Sequence, residues 1–378
     1  MSFEINRELS DMQKKQKILI LSAALAIILA VGVVVTVWFL TKKDTCPHDY
    51  TDFTLDGKPS YTVSVNASRT CRTCGFEEVL TVYAAKGLKY ETDEDGITTL
   101  VGKGDFSEKV LYLADKTEDG RRIDAIASSV FSETKPAAVW IEEGIHTLGE
   151  YAFAFCPELT YISLPASLTT FGDYTVAGCP KLRSVHFADG YRKLGTNQFY
   201  ECTSLTEITL PGDITEIPYG TFFGCCELES ITLPDSLTAI GGNAFTGCVK
   251  LKGITLPESL KEIYPSAFAG CSSLTTLILP ALTTLSHHSF LGCTGLRAVY
   301  LPQALQTIEV TGADGPFFSC HEELVLYTDA SERPEGWDKH FNSFDSAVSD
   351  EDGGELDEEA YFNLKVVYNC PMDEFPGK

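Results

Sequence analysis

Ala244-Phe-Thr-Gly-Cys-Val-Lys-Leu-Lys-Gly-Ile-Thr-Leu-Pro-Glu-Ser-Leu-Lys-Glu-Ile263 is the stretch of sequence that decides the fold. The same order of apolar residues, glycine, cysteine and proline returns from Ala267 to Leu285 with one residue deleted. One cysteine marks each unit, with five successive intervals of 23 residues followed by intervals of 22 and 27. These cysteines are Cys156, Cys179, Cys202, Cys225, Cys248, Cys271, Cys293 and Cys320. A short unit that recurs at a fixed period predicts a solenoid, in which each unit forms one coil.

The middle of each unit has the pattern of a short strand. Leu251, Ile254 and Leu256 are followed by Pro257, and the last two apolar residues alternate with a polar one. Alternation at period 2 favours a strand, and proline ends the pairing because it has no N–H to donate. Stacking coils about 4.8 Å apart would align like residues into internal ladders. The predicted fold class is therefore a β-rich solenoid with a parallel sheet.

These residues also carry a family resemblance. The order Ala-Phe-x-Gly-Cys-x-x-Leu-x-x-Ile-x-Leu-Pro-x-x-Leu-x-x-Ile resembles the BspA-like leucine-rich repeat, over about residues 87 to 345. The resemblance implies a leucine-rich repeat solenoid of 23-residue units and a role in adhesion or recognition, as in bacterial and protist surface proteins. Ala188 in place of proline, Val176 in place of phenylalanine and an insertion at 310–315 depart from the pattern, so we expect irregular coils there.

Composition excludes some classes of partner. The 378 residues include 29 basic and 53 acidic residues, and the net charge is −24. Nucleic acid requires a basic face, so this charge makes it an improbable partner. The same charge opposes adsorption of the folded part to anionic lipid. The length of the chain does not indicate the number of domains here, because a solenoid grows by adding coils.

An uncharged stretch near the N-terminus predicts a transmembrane helix. Residues 18–40 contain no charged side chain, and at 1.5 Å per residue they span roughly 34 Å, against about 30 Å of hydrocarbon. A cleaved signal peptide is the alternative, although its apolar region would be about 7 to 15 residues long. Basic residues lie mostly before the stretch, which favours a cytoplasmic N-terminus. They are Arg7, Lys14, Lys15 and Lys17 before it, and Lys42 and Lys43 after it.

A cysteine and histidine pattern follows this stretch. Cys46 and His48 precede Cys71, Cys74 and Gly75, with 22 residues between the two groups. Two such chelating pairs can complete a tetrahedral shell, so the pattern predicts one structural zinc ion held by Cys46, His48, Cys71 and Cys74. A disulfide among the three cysteines, or free thiols, are the alternatives. The pattern resembles short zinc-ribbon-like modules of gut-bacterial surface proteins.

The sequence predicts six segments. Hairpin signals around Asp93-Glu-Asp-Gly96 indicate an N-terminal cap, and Trp337 with Phe341 indicates a C-terminal cap. The predicted segments are a cytoplasmic tail at 1–17, a transmembrane helix at 18–40, a Cys/His module at 41–83, the N-terminal cap at 84–131, the repeats with the C-terminal cap at 132–345, and an acidic linker with a terminal strand at 346–378.

The repeated cysteines raise the question of redox chemistry. Neighbouring Cα atoms about 4.8 Å apart would fall within disulfide range. Side chains on one ladder point in parallel, however, and buried cysteine ordinarily behaves as a small apolar residue. We therefore expect buried free thiols in the ladder. Cys226 and Cys370 lie outside it and are expected to be reactive or paired.

The sequence offers no catalytic motif. Its seven histidines lie outside any His-Glu-x-x-His, nucleophile-elbow or Cys-His pattern. His287 and His288 fall at a turn position of the unit, which favours a solvated loop over a metal site. The expectation is a protein without enzymatic activity.

A binding face is the better functional candidate. Residues between the ladder positions of each strand should face outward, and solenoids use such rows to bind ligands. The predicted ligand-binding face comprises Tyr161, His186, Thr209, Thr232, Thr255, Ile278 and Tyr300. Tyr161, Ile278 and Tyr300 are the expected anchors. The alternative is that threonine is simply a good outward strand residue.

Together these patterns predict a single-pass membrane protein with its C-terminal region outside the cell. It would bind a protein or glycan on another cell, on host matrix or in its own envelope. The alternative function is a structural scaffold of the cell envelope that holds other surface proteins. A sensor is less favoured, because a tail of 17 residues has no room for a signalling domain.

Overall fold

The computed structural model describes residues 51, 54–280, 282–311, 314–338, 341–346 and 361–376. The chain divides into two compact units, which include residues 66–80 in the smaller and residues 81 onward in the larger. Within the described ranges, no helix is both long enough and apolar enough to cross a membrane. The predicted tail and transmembrane helix, at 1–17 and 18–40, lie outside the described residues.

The smaller unit contains most of the residues of three short strands. They are Thr54–Leu55, Val65–Thr70 and Glu77–Val82, in that order across the sheet. The first two are antiparallel, with Thr54 opposite Ser68. Arg69 donates from Nε to a carboxylate oxygen of Glu78 at 2.7 Å, which ties the second strand to the third. Charge-assisted bonds of this kind are the stronger hydrogen bonds of proteins.

The larger unit, which also includes residues 57–65, is a solenoid of about ten coils. Its first wall consists of parallel strands formed by the middle of each unit, as the alternation predicted. Ile208, for example, is buried, while its neighbours Glu207 and Thr209 are exposed. The strands are Val110–Leu113, Ala138–Ile141, Tyr161–Leu164, Ser184–Phe187, Glu207–Thr209, Ser230–Thr232, Thr276–Ile278, Ala298–Leu301, Val325–Thr328 and Lys365–Val367.

The solenoid has a second wall of strands. The prediction of one parallel sheet was therefore incomplete. In most units the second half forms a strand of two residues, such as Glu262–Ile263, in which the glutamate is exposed and the isoleucine buried. Residues 191–195 form no such strand. These strands are parallel, except for the hairpin that begins the wall. They are Lys89–Thr92, Thr98–Gly102, Ala125–Ile126, Thr147–Leu148, Thr170–Phe171, Glu216–Ile217, Ala239–Ile240, Glu262–Ile263, Thr284–Leu285 and Thr307–Ile308.

Turns form the third wall, and they too are hydrogen-bonded from coil to coil. The N–H of Phe245 donates to the carbonyl of Ala267 at 2.7 Å, and the N–H of Gly247 donates to that of Ala269 at 2.8 Å. Asn243 and Gly247 hold left-handed backbone, with φ of 54° and 76°. Glycine adopts this conformation without the strain that a Cβ introduces. This requirement explains the glycine that precedes the cysteine in most units.

Stacked phenylalanine rings fill the centre of the coils. Consecutive rings lie 5.0 to 5.7 Å apart between centroids, with interplanar angles of 4° to 13°. Val176 interrupts the stack, as the sequence indicated. The fully buried rings belong to Phe131, Phe153, Phe199, Phe222, Phe245, Phe268, Phe290 and Phe317. Truncating a buried phenylalanine to alanine typically costs about 3–5 kcal/mol, so this stack is a principal source of stability.

The predicted irregular coils are visible in the walls. Ala188 replaces the usual proline, and its N–H donates to the carbonyl of Leu164 at 3.0 Å, a bond that proline cannot make. In the described part of the first wall, residues 251–256 form no strand, and Gly253 lies at their centre. Glycine weakens strands because it has no side chain to pack. Of the insertion at 310–315, residues 312 and 313 lie outside the described residues.

Both predicted caps contain the expected elements. The hairpin pairs Lys89–Thr92 with Thr98–Gly102. At the other end Trp337 is buried, its indole Nε1 donates to the carbonyl of Leu305 at 2.8 Å, and the ring of Phe341 lies 5.1 Å away. The predicted terminal strand is present as Lys365–Val367 and adds to the first wall.

The chain ends beyond the cap in a few short elements. Ser343–Ser346 and Tyr361–Asn363 form an antiparallel pair, and Met372–Glu374 is a single 3₁₀ turn. The acidic stretch at 350–359 lies outside the described residues. The predicted segment boundaries remain predictions.

Candidate functional site

The first wall presents two outward rows of side chains. The strand registers pair Ser163 with His186, Thr209 with Thr232, and Ile278 with Tyr300. His186, Thr209, Thr232 and Thr255 are exposed, and Ile278 is half-buried. The central part of the predicted face is therefore accessible to a ligand.

Tyr300 does not project into solvent, and its predicted exposure is wrong. Only 2% of it is exposed, because the C-terminal segment folds back across this end of the first wall. The ring of Phe375 lies 5.8 Å from that of Tyr300 and 5.4 Å from that of Tyr327, edge-on to both. Ile278 and Met372 pack against the same cluster.

Tyr161 is also buried, and the predicted exposure of this second anchor is wrong as well. It is 8% exposed, and its ring lies 5.0 Å from that of Trp140. Tyr161 pairs with Ala138 and Ser184, so it belongs to the neighbouring row of the wall and not to the row of His186. Both ends of the face are therefore apolar and covered, while the middle is polar and open.

The open middle of the wall has hydrogen-bonding chemistry. Each threonine hydroxyl can donate one hydrogen bond and accept two. Across the described part of the chain, no group of three His, Cys, Asp or Glu side chains could hold a metal ion. The open middle of the wall therefore offers hydrogen-bonding groups to solvent.

Of the four predicted zinc ligands, the structure describes two. Cys46 and His48 lie outside the described residues. Cys71 and Cys74 stand in a tight turn, where the N–H of Cys74 approaches the Cys71 sulfur at 3.5 Å. Gly75 has φ of 72° and donates to the carbonyl of Cys71 at 2.8 Å. The turn thus holds both sulfur atoms on one short loop.

The ladder cysteines are buried free thiols, which confirms the prediction for them. Each thiol donates to a main-chain carbonyl of the preceding coil at 3.1 to 3.3 Å. Cys248, for example, donates to the carbonyl of Phe222, which also accepts the N–H of Cys225. Burial raises the pKa of Cys248 above its usual value and that of Cys320 to about 12. A protonated thiol is a poor nucleophile, so these cysteines are structural.

Ion pairs join exposed side chains of adjacent coils. Lys250 lies 2.5 Å from Glu227, and Lys252 lies 2.6 Å from Glu229. The hydrogen bond from Lys252 lowers the pKa of Glu229 below its usual value. Exposed pairs stabilise a fold little, so their main effect is to neutralise charge on this part of the surface.

The paired histidines lie beside an acidic cavity. His287 lines a cavity of about 460 Å³ together with Glu309, Glu335 and Asp338. His288 Nε2 lies 3.6 Å from a carboxylate oxygen of Asp314.

An aromatic cluster on the third wall was missed by the sequence reasoning. Tyr151, Phe155, Tyr174, Tyr200 and Phe223 lie on consecutive coils, with neighbouring ring centroids 4.7 to 6.1 Å apart. The available signal was positional, because the same unit positions elsewhere carry small residues such as Gly247.

The repeat itself identifies the family. The sequence profile of the BspA type leucine rich repeat region matches residues 124–232 and 215–320 with six copies, over more than half of the chain. The chain belongs to the BspA-type leucine-rich repeat family. Such repeat proteins are generally non-catalytic binding proteins, and this membership is consistent with binding or recognition. No curated protein matches the sequence.

Several solved structures resemble this BspA-type protein. The T. pallidum leucine rich repeat protein is 24% identical over 60% of this chain and 84% of its own, with a TM-score of 0.35. A leucine rich cell surface protein from Faecalibacterium prausnitzii is 18% identical over 60% and 93%, with a TM-score of 0.37. The pneumococcal vaccine antigen PcpA is 18% identical over 77% and 80%, with a TM-score of 0.32.

Adjacent cysteines provide a test of the thiol ladder. Cys225 is fully buried and its pKa is raised by burial, whereas Cys226 is partly exposed. We expect iodoacetamide at pH 8 to modify Cys226 in the native protein and to spare Cys225 until the protein is unfolded. Tandem mass spectrometry of the peptide that contains both cysteines measures each site. Equal labelling rates in the native protein would contradict the burial of the ladder.

Proposed function

We propose that this protein is a membrane-anchored, non-catalytic recognition protein of the cell surface that binds a protein or glycan ligand. The observation that carries the proposal is the open middle of the first wall. From His186 to Thr255 the exposed row runs over three coil-to-coil steps, about 14 Å in all. An extended row of this kind is the usual binding surface of solenoids.

The flanking geometry supports the same face. Tyr161 and Tyr300 are buried at its two ends, so a ligand would contact polar groups in the centre and meet apolar cover only at the edges. Ile278, which is half-buried, is the apolar side chain next to the open row. Ligand contacts should therefore be mainly hydrogen bonds, with little burial of apolar area. Polar contacts of this kind contribute more to the specificity of binding than to its affinity.

Substitution of the open row tests this face. The full-length protein in detergent carries His186→Ala, Thr209→Ala, Thr232→Ala and Thr255→Ala together, and its binding to host matrix proteins and to the cell's own envelope proteins is measured. For whichever of these two classes the unchanged protein binds, we expect the affinity to fall at least ten-fold, because each truncation removes a hydrogen-bonding group. Saturable capture of envelope components alone would favour the scaffold.

The matched control changes exposed threonines outside the first wall. Thr215→Ala with Thr307→Ala removes hydroxyl groups from residues that are also exposed. This control should bind as the unchanged protein does. Equal binding by the four-residue variant, with the fold intact by circular dichroism, would reject the face.

The anchor has its own test. With residues 18–40 as a membrane span and residues 1–17 in the cytoplasm, protease added to intact cells should remove the repeats. The span leaves every coil outside the membrane, which is the physical reason for expecting cleavage. An antibody to the N-terminal tail should then detect a short membrane-bound fragment. Full protection of the repeats until the cells are lysed would contradict this topology.

We also infer one structural zinc ion at Cys46, His48, Cys71 and Cys74. The turn that holds the two described sulfur atoms supports this proposal. Four protein ligands would leave no position for water, so the ion would stabilise the fold and not catalyse a reaction. Elemental analysis should find about one zinc per chain, lost in Cys71→Ser with Cys74→Ser and retained in Cys226→Ser. Absence of zinc together with oxidised Cys46, Cys71 and Cys74 would instead identify a disulfide.

A further inference from the structure

The aromatic cluster of the third wall forms a continuous surface. Tyr151 and Tyr174 are stacked with centroids 5.2 Å apart, Tyr174 meets Tyr200 edge-on at 5.5 Å, and Tyr200 stacks on Phe223 at 4.7 Å. Phe155 lies 6.1 Å from Tyr151 and is 50% exposed. We call these five residues the turn aromatic surface.

A neighbouring glycine allows Phe155 to lie where it does. A Cβ on Gly178 of the next coil would fall 2.4 Å from the Phe155 ring, so only glycine accommodates the ring there. Tyr219, which is 53% exposed, extends the aromatic row near Tyr174 and Tyr200. Phe155 and Tyr219 are exposed, and the other rings of the row are half-buried. Apolar area that is accessible over several coils is typical of an interaction site.

The turn aromatic surface is held at a conformational cost. Tyr151, Phe155 and Tyr174 have φ of 55°, 56° and 57°, in the left-handed region. At the equivalent positions other coils carry Asn243 and Gly247, which suit this region, but also Glu133, Glu201 and Ser319, which have positive φ as well. A bulky residue there costs about 1–2 kcal/mol. Because other coils share this backbone, the aromatic side chains, and not the backbone conformation, distinguish these turns.

Exposed carboxylates lie in the same turns as the aromatic rings. Glu150, Asp173 and Glu201 are exposed, and Glu133 is exposed on the preceding coil. The turn segments at 150–155, 173–178, 196–201 and 219–224 contain no lysine, arginine or histidine. Desolvation raises the pKa of Tyr200, and the nearby Glu201 carboxylate raises it further. The surface is therefore both aromatic and negative.

We propose that the turn aromatic surface binds an arginine- or lysine-bearing segment of a partner protein. The aliphatic stems of these side chains pack on apolar rims while their charged heads reach carboxylates. Arginine adds charge-assisted hydrogen bonds to carboxylate oxygens. A neutral sugar would instead need open ring faces, and here three stacked pairs cover the faces that they turn toward each other.

This site lies on the turns, apart from the open row of the first wall, and extends the proposed function by a second surface. Variants of the two surfaces therefore fail independently. Loss of binding by the variant of His186 and the threonines would test only the open row and not the turn aromatic surface. Loss of binding by a variant of the turn aromatic surface would likewise not test the open row.

Aromatic substitutions test the site without changing the net charge. The full-length protein carries Tyr151→Asn, Phe155→Gly and Tyr174→Asn, which are residues that its own other coils use at these positions. The probe is a fluorescein-labelled octapeptide of alternating arginine and leucine, followed by fluorescence anisotropy. We expect at least ten-fold weaker binding and an unfolding temperature that does not fall, because the left-handed strain is relieved.

Charge substitutions test the second half of the proposal against a matched control. Glu150→Gln, Asp173→Asn and Glu201→Gln should weaken peptide binding at least ten-fold. Glu207→Gln, Glu216→Gln and Glu258→Gln remove the same charge from exposed glutamates outside the third wall and should change binding less than three-fold. Equal loss in both sets would show attraction by net charge alone and would overturn the site.

Three further outcomes would overturn the proposal. One is unchanged binding by the aromatic variant. Another is tighter binding of an octapeptide of alternating serine and leucine, or of a neutral oligosaccharide, than of the cationic peptide. The third is self-association of the protein that the aromatic variant abolishes, since that would make a second copy of the chain the occupant.

Discussion

Hydrogen bonding between each coil and the next is the constraint on which the rest of the structure depends. Because both strand walls and the turn wall pair with the following coil, residues one unit apart are forced into line. The spacing between coils then matches the stacking distance of aromatic rings, as in the 5.0 Å separation of Phe245 and Phe268. The same alignment brings Lys252 to Glu229. Packing and surface pairing are thus consequences of one backbone register.

The cysteine of the unit also follows from this register. Its thiol reaches a carbonyl of the preceding coil, as Cys225 does with Phe199 at 3.2 Å. The position demands a side chain that is small, apolar and able to donate one weak hydrogen bond, and cysteine has all three properties. A disulfide between two ladder cysteines would remove both S–H donors, so the two carbonyls that accept from them would lose these hydrogen bonds. The packing of the ladder therefore disfavours disulfide formation between its cysteines.

The solenoid could be predicted from sequence because its unit repeats, but single features could not. Two-residue strands such as Glu262–Ile263 are too short to show alternation, so the sequence predicts one parallel sheet and not the second wall. Phe375 is distant in sequence from Tyr300, and nothing local signals that it folds back over that ring. The predicted exposure of Thr209 and Thr232 is correct, because only the alternation within their own strands determines it. Pattern determines which wall a residue joins, whereas later chain segments determine whether it stays exposed.

Exceptions to the repeat carry more functional information than the repeat does. A consensus residue such as Gly247 is explained by its left-handed backbone, so its presence says nothing about ligands. Phe155 takes the equivalent position with a half-exposed ring, and the fold would accept glycine there at lower cost. The ring stacks on Tyr151 of its own turn, yet half of the side chain remains exposed. Contact with a partner would cover the exposed half of that ring, which supports the proposal that the turns, as well as the first wall, take part in recognition.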